Sequence, residues 1–215
     1  MGQEKPFSFR SDLDGTFLSK REIREYTELL GLEEKELDNP ESVILDLGAG
    51  LEQNLAKEAK ERSLRSKIIS LDPRLGLTAL EDTSLMSQNS YWDWLRRRQN
   101  RKNPEPQTLA ALSQALPFKD GSIDHIYALY SVPFYHEENF EIIKKTFEET
   151  IRVLRPGGSI RMFPIIKTQF HLVKNILDEM KNENINYQLT PKIDGIDEGD
   201  SLLIITKNPE KQKTS

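Results

Sequence analysis

Short apolar runs and stretches of helical period take turns along this chain. Val43-Ile44-Leu45-Asp46-Leu47 is apolar at every position but one, and is bounded by Glu41-Ser42 and by Gly48 and Gly50. Such a run predicts a strand buried on both faces of a parallel sheet. A helix is predicted over 51–63, because Leu51, Leu55, Ala59 and Leu64 recur at helical spacing. Lys67–Leu71 reads as the second strand, so the stretch forms a βαβ unit. Further strands are predicted over 108–113, 125–129 and 160–166. Helices are predicted over 138–153, with Phe140, Ile143, Phe147, Ile151 and Leu154 on the buried side, and over 169–181. Two last strands, near 187–189 and 201–206, flank the Gly/Asp-rich loop 194–200. That connection is short for a parallel crossover, so the final strand is predicted to be antiparallel.

The flanking segments carry weaker patterns. Ser19 with Glu22 forms a capping-box signature, which predicts a helix start near Lys20 with Ile23, Tyr26, Thr27 and Leu30 on one face and Gly31 at its end. A second short helix is expected over 33–37, before Asp38-Asn39-Pro40. Residues 1–40 thus read as a helical extension covering the ligand or the sheet edge, and 41–207 as the main domain. Insertion 75–108 is longer than a plain strand–helix–strand connection and reads as a lid or substrate arm. Within it Ser90 and Asp93 mark a helix start, and Tyr91, Trp94, Leu95 and Arg98 share a face. Residues 208–215 read as a disordered tail. Asp12-Leu13-Asp14-Gly15-Thr16 resembles the nucleophile loop of haloacid dehalogenase-type phosphatases. No buried apolar strand precedes it, so it reads as an Asp/Gly turn.

Composition narrows the function. The chain has 215 residues, 36% hydrophobic and 30% charged, enough for one domain with a real core. A net charge of −5 removes any global attraction to nucleic acid or anionic membrane. Arg96, Arg97, Arg98, Arg101 and Lys102 form the one locally basic patch. Cysteine is absent, which excludes disulfides, thiolate metal sites and a cysteine nucleophile. No secretory pattern opens the chain, and no apolar run reaches the roughly 20 residues a bilayer requires, so a cytoplasmic location is expected. His136-Glu137-Glu138 begins like H-E-x-x-H, but Phe140 occupies the second histidine position, which excludes that zinc motif.

The chemistry centres on the glycine turn. Gly48 and Gly50 allow a sharp turn and close backbone approach to a ligand, and the following helix start offers free N–H groups. The stretch Asp46-x-Gly48-x-Gly50 resembles motif I of the class I S-adenosylmethionine-dependent methyltransferases, with Glu52 in place of the third glycine. Asp72 ends the second strand roughly 20 residues beyond the turn, the spacing of an acidic residue that accepts from ribose hydroxyls. Ala115-Leu116-Pro117-Phe118 and Gly121-Ser122-Ile123-Asp124 resemble another segment of the small-molecule, Methyltransferase-11-like members. Arg152-Val153-Leu154-Arg155-Pro156-Gly157-Gly158 resembles their R-V-L-K-P-G-G turn, read here as proline ending a helix and glycine capping it.

The resemblance implies an α/β, doubly wound, seven-stranded, mostly parallel sheet with one antiparallel strand near the edge, a Rossmann-like methyltransferase fold. It further implies bound S-adenosylmethionine, with S-adenosylhomocysteine as product. Asp46, Gly48, Ala49, Gly50, Asp72, Pro73, Leu112, Ser113 and Tyr130 are the expected cofactor contacts. Leu112 stands where the family carries an acidic residue for the adenine amino group, so adenine would be held by apolar packing and backbone groups. Methyl transfer is an in-line displacement in which positioning supplies most of the catalysis. A base is needed only for an acceptor proton of high pKa. His136 and Tyr135, then Tyr130, are candidates by their place after the fourth strand. The expected acceptor is a small molecule. Two alternatives stand beside this reading. One is a catalytically inactive binding module on the same fold, motivated by Glu52 and Leu112. The other is an RNA methyltransferase using the basic helix 91–102. The acceptor's identity and the oligomeric state are not legible.

Overall fold

Residues 21–50, 52–73, 107–134, 139–180, 184–191 and 200–209 are described by the computed structural model. Outside them lie residues 1–20 with the loop 12–16, Ser19 and Lys20, Leu51, residues 74–106 with the predicted basic helix, residues 135–138 with Tyr135 and His136, and residues 181–183, 192–199 and 210–215.

Strand β1 (Val43–Leu47) lies near the middle of a seven-stranded sheet. Its parallel neighbours are β2 (Lys67–Leu71) and β4 (Ile123–Leu129). The full order is β3 (Thr108–Leu109), β2, β1, β4, β5 (Leu154–Ile165), β7 (Ser201–Lys207), β6 (Ile185–Pro191). β7 runs antiparallel to both β5 and β6, one place in from the edge. The expected short return between the last two strands is therefore present as an antiparallel insertion.

β1 is apolar because it is covered on both faces. Leu45 and Leu47 join a core with Ile143, Phe147 and Ile151 of helix α4 (Phe140–Val153), and with Val173 and Ile176 of helix α5 (Phe170–Glu179). Ile44 faces the opposite core, with Ile23, Tyr26 and Leu30 of helix α1 (Ile23–Leu30) and Leu55 and Ala59 of helix α3 (Asn54–Glu61). Each such fully buried aliphatic side chain contributes about 1.5–3 kcal/mol. Helix α2 (Glu34–Leu37) adds Leu37 to the second core. The sequence places Thr27 on the buried face of α1, but it is exposed and its hydroxyl donates to the Ile23 carbonyl instead. Gly31 does end α1, in the left-handed conformation at φ 66°.

Several sequence segments that carried the family resemblance turn out to tie elements together. Arg152 of α4 donates to the carbonyls of Leu116 (2.9 Å) and Phe118 (2.8 Å) and pairs with Asp120. Glu149 accepts from the Leu116 N–H at 2.8 Å. Asp124 accepts from the Val43 N–H at 2.8 Å and pairs with Arg155 at 2.6 Å, so one carboxylate aligns the starts of β1 and β5. A second brace joins α2 to the sheet. Arg161 of β5 forks onto Glu36 at 2.8 and 3.2 Å, donates to the Gly31 carbonyl, and lies over the Tyr127 ring. The Tyr127 hydroxyl also donates to Glu36, at 3.0 Å.

Several elements differ from the sequence reading. α1 begins at Ile23 behind an extended Glu22 and not near Lys20, and α3 begins at Asn54 behind the left-handed Gln53 and not at 51. β3 is two residues long, because only Thr108 and Leu109 find partners on β2; beyond them Ala110 and Leu112 are exposed. β5 begins at Leu154, six residues earlier than expected, so Pro-Gly-Gly lies inside the strand and not in a helix cap. The register against β4 steps from Ile123↔Leu154 to His125↔Ser159, which makes Arg155–Gly158 a wide bulge, with Gly157 at φ 83°. The end of α4 is closed from elsewhere: Lys207 of β7 donates to the Ile151 and Leu154 carbonyls at 2.8 and 2.9 Å. A cation on the last helical carbonyls serves both their hydrogen bonding and the helix dipole, so no glycine is needed there.

Candidate active site

The chain leaves β1 toward β2 and β3 on one side and returns through β4 and β5 on the other. The crevice between the carboxyl ends of β1 and β4 is thus the switch point where open α/β sheets bind ligands. Three loops meet there. The N–H groups of Gly48 and Ala49 both donate to the Leu71 carbonyl, at 2.7 and 3.0 Å. The Gly50 N–H donates to Asp72 Oδ2 at 3.0 Å, so the glycine turn and the second-strand carboxylate form one unit. From the β4 side, the Ser131 hydroxyl donates to the Leu47 carbonyl at 2.7 Å.

Gly48 is required for two reasons. Its φ is 76°, a left-handed conformation that side chains resist, and a Cβ there would lie 2.3 Å from the Ser131 Cβ. Gly50 is also left-handed, at φ 70°. Gln53, at φ 53° before α3, is buried, and its side-chain oxygen accepts from Thr108 at 2.6 Å.

Beneath the turn is a buried polar group of mixed charge. Asp46 is 1% exposed. Its Oδ1 accepts from the Tyr26 hydroxyl at 2.7 Å, while Oδ2 finds no hydrogen-bond partner. Burial raises its pKa from 3.8 to about 6, with the charge of Asp72 adding to the shift and the Tyr26 hydrogen bond and the Arg21 charge opposing it. Glu25 is buried beside this group with Oε2 likewise unpaired, and burial raises its pKa too. The counter-charge is Arg21, which is 6% exposed. Its guanidinium donates to the carbonyls of Gly48 and Tyr130, the latter at 2.8 Å.

The structure places the sequence-predicted residues unequally. It brings together Asp46, Gly48, Ala49, Gly50, Asp72 and Tyr130 around the crevice, and Pro73 follows Asp72 at the surface. Ser113 is buried, with its hydroxyl 3.0 Å from that of Thr146 on α4, whereas the Leu112 side chain is 52% exposed. Tyr130 has φ 47°; its N–H donates to the Phe163 carbonyl at 2.7 Å and its ring packs edge-on against Phe163. Its phenol, already protonated at neutral pH, has its pKa raised further above 10.0 by burial, so it can donate a hydrogen bond but not take up a proton. Tyr135 and His136 lie outside the described residues. His125 sits 2.9 Å from the Ser159 hydroxyl, with its pKa lowered by burial.

Arg21 escaped the sequence reading, and the contacts made by Tyr26 and Ser131 were not legible in it. Tyr26 was legible as a buried face residue but not as a partner of Asp46. Arg21 and Ser131 belong to no local motif, since each acts across a long sequence separation.

Comparison with known proteins bears on the family and the fold. A protein of known function, the sterol 4-C-methyltransferase strm-1 of Caenorhabditis elegans, is 37% identical over 60 residues; the match spans 28% of this chain and only 16% of that relative. Among solved structures, the N-methyltransferase NodS of Bradyrhizobium japonicum WM9 superposes with a TM-score of 0.53 at 16% identity, covering 87% of this chain and 96% of that one. A SAM-dependent methyltransferase from Methanosarcina mazei gives 0.51 at 13% identity, covering 82% and 97%. At these identities the structural likeness establishes the fold alone. Residues 45–162 match the Methyltransferase domain family, and the chain belongs to it.

Proposed function

We propose that this protein transfers the methyl group of S-adenosylmethionine to a small-molecule acceptor, with the cofactor bound in the crevice above β1, β2 and β4. The observation that carries the reading is the joined unit of Gly48, Gly50 and Asp72 at the switch point. The residues suit the cofactor's parts. Asp72 offers a carboxylate to the ribose hydroxyls, and the bare Gly48 turn admits close approach. The orphaned Asp46 Oδ2 and the carbonyls of Gly48 and Tyr130 are acceptors for a cationic ammonium group. Leu112 supplies apolar surface for adenine, and Ala49, Gly50, Pro73 and the Ser113 backbone complete the rim. When bound, the sulfonium supplies an activated methyl group. The protein's own task is to align the acceptor and, for an acceptor that must lose a proton, to receive it at His136 or Tyr135, with the Tyr130 phenol as a donor.

A small-molecule acceptor is favoured by the net charge of −5, which disfavours a polyanionic substrate. Titration calorimetry with S-adenosylhomocysteine tests the cofactor site. Wild type is expected to bind, and Asp72→Ala to weaken binding about tenfold or more, the equivalent of about 1.4 kcal/mol. No binding by wild type would favour an inactive binding module. A metabolite screen for methyl acceptors then addresses the substrate.

A further inference from the structure

Strands β1 and β4 end alike. Each runs directly into a residue in the left-handed conformation, Gly48 at φ 76° and Tyr130 at φ 47°. For glycine this conformation is free, but for a bulky aromatic residue it is costly and persists only where the surroundings enforce it. The Phe163 contacts enforce it at Tyr130. The two carbonyls that result converge on one guanidinium, that of Arg21, which stands two residues before α1 and is 6% exposed. A buried cation therefore already occupies the acceptors that face the crevice.

We propose that Arg21 is a displaceable latch, which competes with the amino-acid end of the cofactor for the carbonyls of Gly48 and Tyr130. This rests on the cofactor reading above. An amino-acid ammonium and a guanidinium are both cationic donors; each carbonyl has a second lone pair, but two positive charges drawn to the same pair of buried oxygens repel each other. The orphaned Asp46 Oδ2 marks a further acceptor in the same buried region, so the region is built for positive charge. Ligand binding then requires Arg21 to leave, and the measured affinity is reduced by the fraction of molecules in which the latch is shut.

The test compares two ligands. S-adenosylhomocysteine carries the ammonium; 5′-methylthioadenosine carries the same nucleoside without it. Calorimetry on full-length wild type, Arg21→Gln and Arg21→Lys separates them, with circular dichroism confirming folding. Arg21→Gln is expected to bind S-adenosylhomocysteine about tenfold more tightly, the gain for a latch shut nine times in ten, with methylthioadenosine affinity unchanged. Arg21→Lys keeps the charge but cannot bridge two carbonyls in a fork, so it should fall between. Weaker binding of S-adenosylhomocysteine by Arg21→Gln, or equal changes for both ligands, would overturn the latch. If the variants bind methylthioadenosine but wild type and variants all fail with S-adenosylhomocysteine, the latch is refuted while the nucleoside site stands. If no protein binds either ligand, the cofactor reading fails and the latch with it.

Discussion

Replacing Asp46 by Asn should make the free protein more stable at neutral pH while weakening its ligand site. Unfolded, this carboxyl titrates near 3.8, whereas in the fold burial raises it to about 6. The folded chain therefore binds the proton more tightly than the unfolded chain. The associated stabilisation is complete below about pH 4 and is lost as pH rises from there through about 6. Moving a carboxyl from 3.8 to about 6 amounts to about 3 kcal/mol at 1.36 kcal/mol per pH unit. Asparagine keeps an oxygen for the Tyr26 hydroxyl, which donates to Asp46 at 2.7 Å, and removes the charge. Urea denaturation of wild type and Asp46→Asn between pH 4 and 7.5 measures the effect. The two proteins should have similar stability near pH 4 and diverge with rising pH, until the variant is more stable by up to about 3 kcal/mol. Glu25, raised by burial, and His125, lowered by it, are common to both proteins and largely cancel in the difference. A variant that is less stable at pH 7.5, or a difference that does not change with pH, would refute the assignment of a buried, charge-destabilised carboxylate. Such an uncomfortable charge is what a site for a cationic ligand would retain at the expense of stability.

Other perturbations test the frame around the site. Gly48→Ala should cost about 3 kcal/mol, from left-handed strain together with overpacking against Ser131. Adding Ser131→Gly should recover only the packing part, and thermal melts of the single and double variants would show it; full recovery would mean the backbone conformation is not strained. Arg161→Ala should cost about 3 kcal/mol by leaving Glu36 poorly compensated in a half-dry site. Arg161→Met with Glu36→Gln should recover part of this in a double-mutant cycle by chemical denaturation, and purely additive losses would argue against a coupled brace.

The sheet was legible because its central strands are buried on both faces and therefore read as short, mostly apolar runs. The antiparallel last strand was legible from loop length alone. By contrast, the start of β5 was hidden, because Pro156 and two glycines read as a stop while a wide bulge can carry them within a strand. What closes α4 was hidden for a related reason: its cap, Lys207, comes from the last strand, 56 and 53 positions along the chain from the carbonyls it caps. At the site, Asp46, the glycines and Asp72 were legible because their geometry is set within a single βαβ unit. Arg21 was not, since what makes it matter is the convergence of two carbonyls at 27 and 109 positions' separation. Ser131 likewise acts through a contact with the Leu47 carbonyl that no local pattern encodes.

The insertion of β7 between β5 and β6 fixes an order of assembly. In the sheet, β6 has β7 as its hydrogen-bonded neighbour, and β7 follows it in the chain. During synthesis the strands from β1 to β5 can pair as they emerge, but β6 must wait for Ser201–Lys207 before it has a partner. Until then β5 stays an open edge, with the apolar residues Ile160, Met162 and Phe163 along it. The nascent chain is thus most vulnerable to intermolecular strand pairing just before its last strand is made. Chains halted between β6 and β7 should aggregate, whereas chains carrying β7 through Lys207 should not.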